Sequence, residues 1–400
     1  MKKIPLLLYT YLLTEMLAPF FAALLVLNAI LFLGRLVPLL DSIFGLGIGL
    51  ADFTRIAAYI TPALLRFTLP MAAMMAVVIA FTRMRGDLEI MALKAAGIGL
   101  ARMLPPVLLF GIVTALLTLA TSTILVPKGT TAMNQLLLHL AKEKIERGVR
   151  EKSFSEGLGE VVLYVEEVSP EDRSWRGVYL SDLRDAANPL TVIAVGGRLQ
   201  ADKSSGLATL ELTDGSLHLA QEGKTQTITF ARYSLEIPLQ YPTMGHPSRG
   251  NMTQQELLAR AERLGPEHRY YPTVMIEYHQ RLALPVGCFL FSVLGLSLSQ
   301  VGQGSRVALG VPLGLATFVG YYVLLTAAKS LAENGQLPVA AAIWLPNLIF
   351  MILALYLLRR SALELGHPWL ERLLELIQTK VQRLRHWRRA GKAEQEGGDR

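Results

Sequence analysis

Arg35, Arg66 and Lys329 are the residues whose chemistry is easiest to name, because each borders a long run that holds no other charge. A cation at the edge of an apolar segment either snorkels to water alone or is held by an anion through charge-assisted hydrogen bonds. Snorkelling accounts for any one of them, whereas convergence of all three would make a seat for phosphate or carboxylate. The residue types that carry covalent or metal chemistry show no matching arrangement. There is no GxxxxGK[ST] phosphate loop, no HExxH, no GxSxG, and one cysteine, Cys288, without a second to pair with. The seven histidines show no metal-ligand spacing. Glu277 and His279 have the types of an acid and a base, but side chains two apart on a helix do not face each other, so both read as interfacial residues. An enzyme with its own active site or cofactor is therefore not expected.

The elements that must position these cations are membrane spans. Uncharged runs cover 16–34, 67–82, 103–127, 282–305, 307–328 and 334–358, and most exceed the roughly 20 residues that a helix needs to cross a bilayer. The shortest, 67–82, becomes long enough if Arg66 lies at the boundary and TLPMAAMMAVVIAF carries the span inward. Three spans precede a polar middle and three follow it. Arg35 then falls near the end of the first span, Arg66 opens the second, and Lys329 lies near the outer end of the fifth.

Short positive loops stay in the cytoplasm. Lys2 and Lys3 precede the first span, Arg83, Arg85, Lys94 and Arg102 separate the second from the third, and Arg359 and Arg360 follow the sixth. All belong on one side, which places both termini inside, exports the middle segment, and sets the three boundary cations at outer headgroup level. The first span is too long in its apolar core for a cleaved signal peptide and should remain in the protein. Composition agrees, with 52% hydrophobic and 18% charged residues, as six lipid-facing helices require. Ten basic and six acidic residues between Arg359 and Arg400 supply +4 of the net +7. That tail reads as an anchor for anionic lipid, since no nucleic-acid motif accompanies it.

Between the two halves the hydrophobic period changes from helical to alternating, the signature of strands. VVLYVEEV, GVYLSD, LTVIAVGGRLQ, TLELTDGSLHLA and TQTITFARYSLEIPL alternate in this way, and Asp214-Gly215 and Glu222-Gly223 are expected to turn hairpins. Leu210, Leu212, Leu217, Leu219, Ile228, Phe230, Leu235 and Ile237 would then share one apolar face, either the core of a sandwich, jelly roll or open barrel, or a groove for acyl chains. With no second cysteine, this domain holds no disulfide. Thr253 with Glu256 three residues on predicts a capping box, opening a short helix that leads back to the membrane.

RMRGDLEIMALKAAGIGLAR, between the second and third spans, predicts a short amphipathic helix over about 86–97. Asp87 is expected to cap it and Gly97 to end it, with Ile90, Leu93 and Lys94 near one face. Such a helix either docks on a cytoplasmic partner or lies in the headgroups. In the fifth span Gly310 and Gly314 form a GxxxG that marks a packing face.

Taken together these segments resemble the lipopolysaccharide export permeases of the LptF/LptG family. The resemblance rests on TLPMAAMMAVVIAFTRMRGDLEIMALKAAGIGL, ILVPKG, VVLYVEEV, LSDLRDAANPLTVIAVGGRL, YHQRLALPVGCFLFSVLGLSLS and LAENGQLPVAAAIWLPNLIF, in family order over nearly the whole chain. The TLPMA and WLPN stretches look more like the F member.

The resemblance implies an α-helical integral membrane protein of six transmembrane helices with an inserted all-β periplasmic jelly roll, in the bacterial inner membrane. Its parts would be a membrane half over 1–127, the jelly roll over 128–250, a helical return over 251–276, a second membrane half over 277–360 and the basic tail over 361–400. It also implies partners: a second permease of the family, a dimeric cytoplasmic ATPase, a single-span periplasmic jelly-roll protein, a periplasmic bridge protein, and lipopolysaccharide as the cargo. Arg35 would meet lipid A phosphates, and Arg66 and Lys329 fall at the same level. Arg66 stands where the family often has an acid, so it adds either a phosphate contact or a charge that a partner's acid compensates. Asp87, Glu89, Ile90, Leu93 and Lys94 would meet the ATPase, with Glu89 on a basic site, and Gly310 and Gly314 would meet the second permease. The apolar sheet face at Leu210, Leu212, Leu217, Leu219 and Phe230 would hold acyl chains. Two other classes remain open: a mechanotransmission subunit that moves a periplasmic partner, and a membrane-anchored scaffold of envelope assembly.

Overall fold

Each apolar run overlaps a long helix in the computed structural model of the chain, which describes residues 6–44, 50–148, 152–155, 161–169, 174–182, 190–201, 207–221, 224–238, 249–300 and 310–363. The N-terminal half comprises α1 (Leu6–Phe44), α2 (Leu50–Gly86), the short α3 (Glu89–Ala95), and α4 (Leu100–Ala120), which passes through a π turn (Thr121–Leu125) into α5 (Val126–Gly148). The middle holds β1 (Ser153–Ser155), β2 (Val161–Val168), β3 (Trp175–Asp182), β4 (Leu190–Ala201), β5 (Leu207–Gln221) and β6 (Lys224–Pro238). The chain returns through α6 (Gln254–Leu264) to α7 (Tyr271–Ser299), α8 (Gly310–Glu333) and α9 (Val339–Ala362). Among the described residues six helical stretches are long and apolar enough to cross a membrane. At about 1.5 Å per residue, α1 and α2 are longer than a hydrocarbon core of about 30 Å requires. Arg66 therefore lies inside α2 rather than at its first turn. The third helix also outruns its expected limit at 127, and the sheet begins only at Ser153.

The chain divides into two units. One holds residues 1–30, 64–123 and 257–400 and has α7 at its centre. Leu284, Leu290, Phe291, Leu294 and Leu298 of α7 are buried against Tyr321 and Leu325 of α8 and Ile343, Phe350 and Ala354 of α9. In the middle of this core the Tyr321 hydroxyl donates to Oδ1 of Asn347 at 2.9 Å, and the Asn347 amide donates to the Ala283 carbonyl at 2.9 Å. Those bonds satisfy polar groups that would be costly unpaired in an apolar core. Gly287 is needed there, because a Cβ on it would stand 2.8 Å from the Tyr321 hydroxyl. A neighbouring core joins Leu12 and Met16 of α1, Ala73, Val77, Phe81 and Met84 of α2, Ile90 of α3 and Met103 and Phe110 of α4.

The other unit, residues 31–63 and 124–256, carries the sheet. All six strands pair antiparallel with their neighbours in sequence. The inserted domain is thus an antiparallel sheet. Its described strands pair in sequence order, β1-β2-β3-β4-β5-β6. Asp214-Gly215 is no hairpin turn either. β5 runs through it unbroken, with Asp214 at φ 49° and pairing resuming at Thr213 and Gly215 on either side. That left-handed residue shifts the alternation, which is why even-numbered Leu210 and Leu212 and odd-numbered Leu217 all enter one core. Gly215 has no room for a side chain: a Cβ would lie 2.4 Å from the Ile193 carbonyl and 2.6 Å from the ring of its cross-strand partner Phe230. The ladder between β5 and β6 continues to Gln221 and Lys224, while the Glu222-Gly223 turn itself lies outside the described residues. The capping box is present, with the Thr253 amide donating to Oε2 of Glu256 at 2.8 Å and the Glu256 amide to Oγ1 of Thr253 at 3.3 Å.

Candidate functional site

The short helix α3 is built as a rigid peg. Gly97 at φ 80° closes it as a Schellman motif, with the Gly97 amide donating to the Lys94 carbonyl and the Ile98 amide to the Leu93 carbonyl, both at 2.9 Å. Its start differs from expectation, because Leu88 occupies the N-cap in a left-handed conformation and no side chain caps it. Asp87 instead lies 4.0 Å from Arg83. The outward face differs too. Ile90 is 3% exposed and Leu93 packs on the same core, so these two anchor α3 to the membrane domain. The face left exposed is Leu88, Met91, Ala92 and Ala95, with Leu88 and Met91 more than half exposed. Glu89 sits at its edge and accepts from the Tyr11 hydroxyl at 2.7 Å. Lys94 is half-buried.

Of the three boundary cations, Arg66 has an acid within the chain. Its Nη1 lies 3.0 Å from Oε1 of Glu277, and Nε of Arg281 reaches the same oxygen at 2.9 Å. The Arg281 side chain is fully buried, and the Glu277 side chain is 17% exposed. The Arg66 guanidinium also stacks 4.9 Å from the centre of the Phe67 ring. Glu277 is therefore the carboxylate that joins α2 to α7 and makes a buried arginine tolerable. Sequence reasoning missed it because the spacing that matters is between distant segments. The local signal available was Glu277 and Arg281 at i and i+4, a helix-surface pair. Arg35 is exposed on α1, and Lys329 is half-buried on α8.

Helix burial is uneven. Only 11% of the most apolar stretch of α1 and 22% of that of α8 is buried within the chain, against 83% for α7. On α8, Leu315, Val319 and Val323 form an exposed ridge at four-residue spacing. Gly310 and Gly314 are on the other side. A Cβ on Gly310 would lie 3.0 Å from Val78 and from Thr82 of α2, and one on Gly314 would lie 3.6 Å from Met75 and Val78. The GxxxG face expected to meet a second permease is therefore taken up inside the chain. In the sheet, Leu210 and Leu212 are fully buried, Leu217 is nearly so, and Leu219 and Phe230 are half-buried at the margin of the same cluster, while Ile228 faces out at 45% exposure. The basic tail from residue 364 lies outside the described residues.

Six apolar spans, an antiparallel sheet inserted between the third and fourth, and an anchored peg between the second and third define a multi-pass membrane protein of the permease type. Residues 10–360 match the family described as lipopolysaccharide export system permease LptF/LptG, and the chain belongs to that family. Its members are transmembrane subunits without an ATPase domain. Membership in a lipopolysaccharide export system follows from the family. The chain is also similar to an uncharacterised protein of Rickettsia prowazekii (strain Madrid E), 22% identical over 327 residues that cover 79% of this chain and 88% of that protein.

Proposed function

We propose that this chain extracts lipopolysaccharide from the outer leaflet of the inner membrane and passes it to a periplasmic bridge protein. Both termini are cytoplasmic and the sheet is periplasmic, as the positive short loops require. A second permease of the family stands against α1 and α8, a dimeric cytoplasmic ATPase binds the peg α3, and a single-span periplasmic jelly-roll protein completes the complex. The observation that carries this reading is the one-sided cover of α1 and α8 in a chain that matches the family over 351 residues, 10–360. Helices so little covered by their own chain need lipid or a partner along their length.

Arg35, exposed on α1, and Lys329, half-buried on α8, serve the lipid A phosphates. Arg66 contributes field rather than a free guanidinium, since Glu277 already holds it. Acyl chains enter the sheet at half-buried Leu219 and Phe230, and reach Leu217, Leu212 and Leu210 only if the sheet opens. On α3, Glu89 meets a basic site of the ATPase beside the apolar Leu88–Met91 ridge, with Asp87 and Lys94 at its ends and Ile90 and Leu93 holding the helix in place. The TLPMA and WLPN stretches favour the F member.

Photocrosslinking probes at Arg35, Arg66 and Leu219 test the path. In cells with active ATPase, lipopolysaccharide adducts are expected at Arg35 and Leu219, with fewer at Arg66, and all should fall when ATP hydrolysis is blocked. Adducts to protein alone at every position in a functional transporter would overturn the reading in favour of force transmission or scaffolding.

A further inference from the structure

Tyr11 and Glu15 stand four residues apart on α1, so they share one face. The Tyr11 hydroxyl donates to Oε2 of Glu89 on α3. Glu15 receives the Arg83 guanidinium from the last turn of α2, and Arg83 also reaches Asp87 in the turn that leads into α3. Beside this polar face Leu12 and Met16 are fully buried in the core that holds Ile90, Met84 and Leu100. Phe20 is the last buried residue of α1 over the part whose burial is described, and residues 21–37 are all half-buried or exposed. The helix is thus fastened at one end, to the elements that carry the peg.

We infer that Tyr11 and Glu15 are positioning residues that make α1 follow α3, so that a movement imposed on the peg from outside is delivered to the least covered helix of the chain. This inference rests on the permease reading for its biological consequence, but the geometry that carries it is independent of any cargo. Apolar contacts such as Leu12 and Met16 on Ile90 are non-directional and permit sliding. A hydrogen bond at 2.7 Å and an ion pair are directional and weaken steeply once bent or stretched. The polar face therefore sets the register of α1 on α3, while the apolar one supplies adhesion. Glu89 need not leave Tyr11 to meet a partner's cation, because a carboxylate keeps acceptor sites beyond the one a single hydroxyl uses. Beyond Phe20 the packing of α1 within the chain thins to the partly buried Ala23, Leu24 and Leu27, so a tilt at the fastened end is carried into the more exposed part of the helix.

The test uses the whole complex with its ATPase and second permease in lipid nanodiscs. A spin label at Leu25→Cys reports α1, because Leu25 is 71% exposed and the one native thiol, Cys288, is buried. Nucleotide binding should change the label's spectrum in the parent, and Tyr11→Phe combined with Glu15→Gln should at least halve that change. Hydrolysis of ATP should persist while lipopolysaccharide released per ATP falls about fivefold, the lower end of ordinary coupling between sites. Exchange of the charges, Glu15→Arg with Arg83→Glu, should restore more than either single change, which separates positioning from general damage. A label that ignores nucleotide in the parent, or responds undiminished in the double variant, overturns the inference. A label response lost on mutation in a complex that never releases lipopolysaccharide would sustain the inference and overturn the permease reading instead.

Discussion

Glu277 holds two guanidiniums with one oxygen, and their loss should not be symmetrical. Removing the acid leaves Arg281, whose side chain has no exposure, and Arg66 without their carboxylate. Breaking a buried pair from one side costs about 3 kcal/mol or more. Removing Arg66 leaves the Glu277–Arg281 pair intact and should cost about 1.5–3 kcal/mol, the value of one charged hydrogen bond. Glu277→Gln is therefore expected to lower the midpoint of thermal unfolding in detergent clearly more than Arg66→Met, and the reverse order would show that Arg66, not Glu277, anchors the cluster. This site was half legible in the sequence. Arg66 stood out as a charge beside an apolar run, but its partner lies 211 positions away, and no local period encodes such a pairing. Leu88 shows the same limit at short range, since Asp87 is the better capping residue by type and yet the backbone turns through Leu88 at φ 61°.

At the scale of elements, freedom from charge located all six spans, because crossing hydrocarbon forbids unpaired charge over the length of a helix. It misplaced their ends for the same reason. α7 starts at Tyr271, ahead of its uncharged run, because Glu277 and Arg281 neutralise each other in place. The β region was legible as alternation, but Asp214-Gly215 was misread, since the residues that turn a hairpin are also those that kink a long strand through positive φ. GxxxG was legible as a packing face and silent about its partner, which is α2. The two glycines differ in a measurable way. At Gly310 an added methyl meets Val78 and Thr82 at 3.0 Å, so Gly310→Ala should destabilise by about 1 kcal/mol through overpacking. At Gly314 the nearest atoms are at 3.6 Å, an ordinary contact. Gly314→Ala should be neutral or gain up to about 0.8 kcal/mol from helix propensity. Equal effects of the two substitutions on thermal stability would mean that α8 does not meet α2 in this register.

For the molecule as a whole, the unequal cover on its spans singles out the helices that the proposed second permease would meet. α7 is wrapped by its own chain, while α1 and α8 are covered along one face only and α9 is intermediate at 39%. Hydrophobicity cannot tell a partner from lipid, because hydrocarbon is as apolar as leucine and helix association in a bilayer depends on packing. Exposure of single residues does not discriminate either, since Phe21 on α1, Val323 on α8 and Leu355 on α9 are exposed to 61%, 62% and 61%. If the second permease is seated on α1 and α8, cysteines at Phe21 and Val323 should cross-link to cysteines placed across the exposed spans of that permease. A cysteine at Leu355, equally exposed but facing lipid, should give none above background, and Cys288 stays silent because it is buried. The contrast between equally exposed positions is what makes the result readable. Cross-links from Leu355 with none from Phe21 or Val323 would move the contact to α9, leave α1 facing only lipid, and remove the reason for a peg at one end of α1 to control anything beyond this chain.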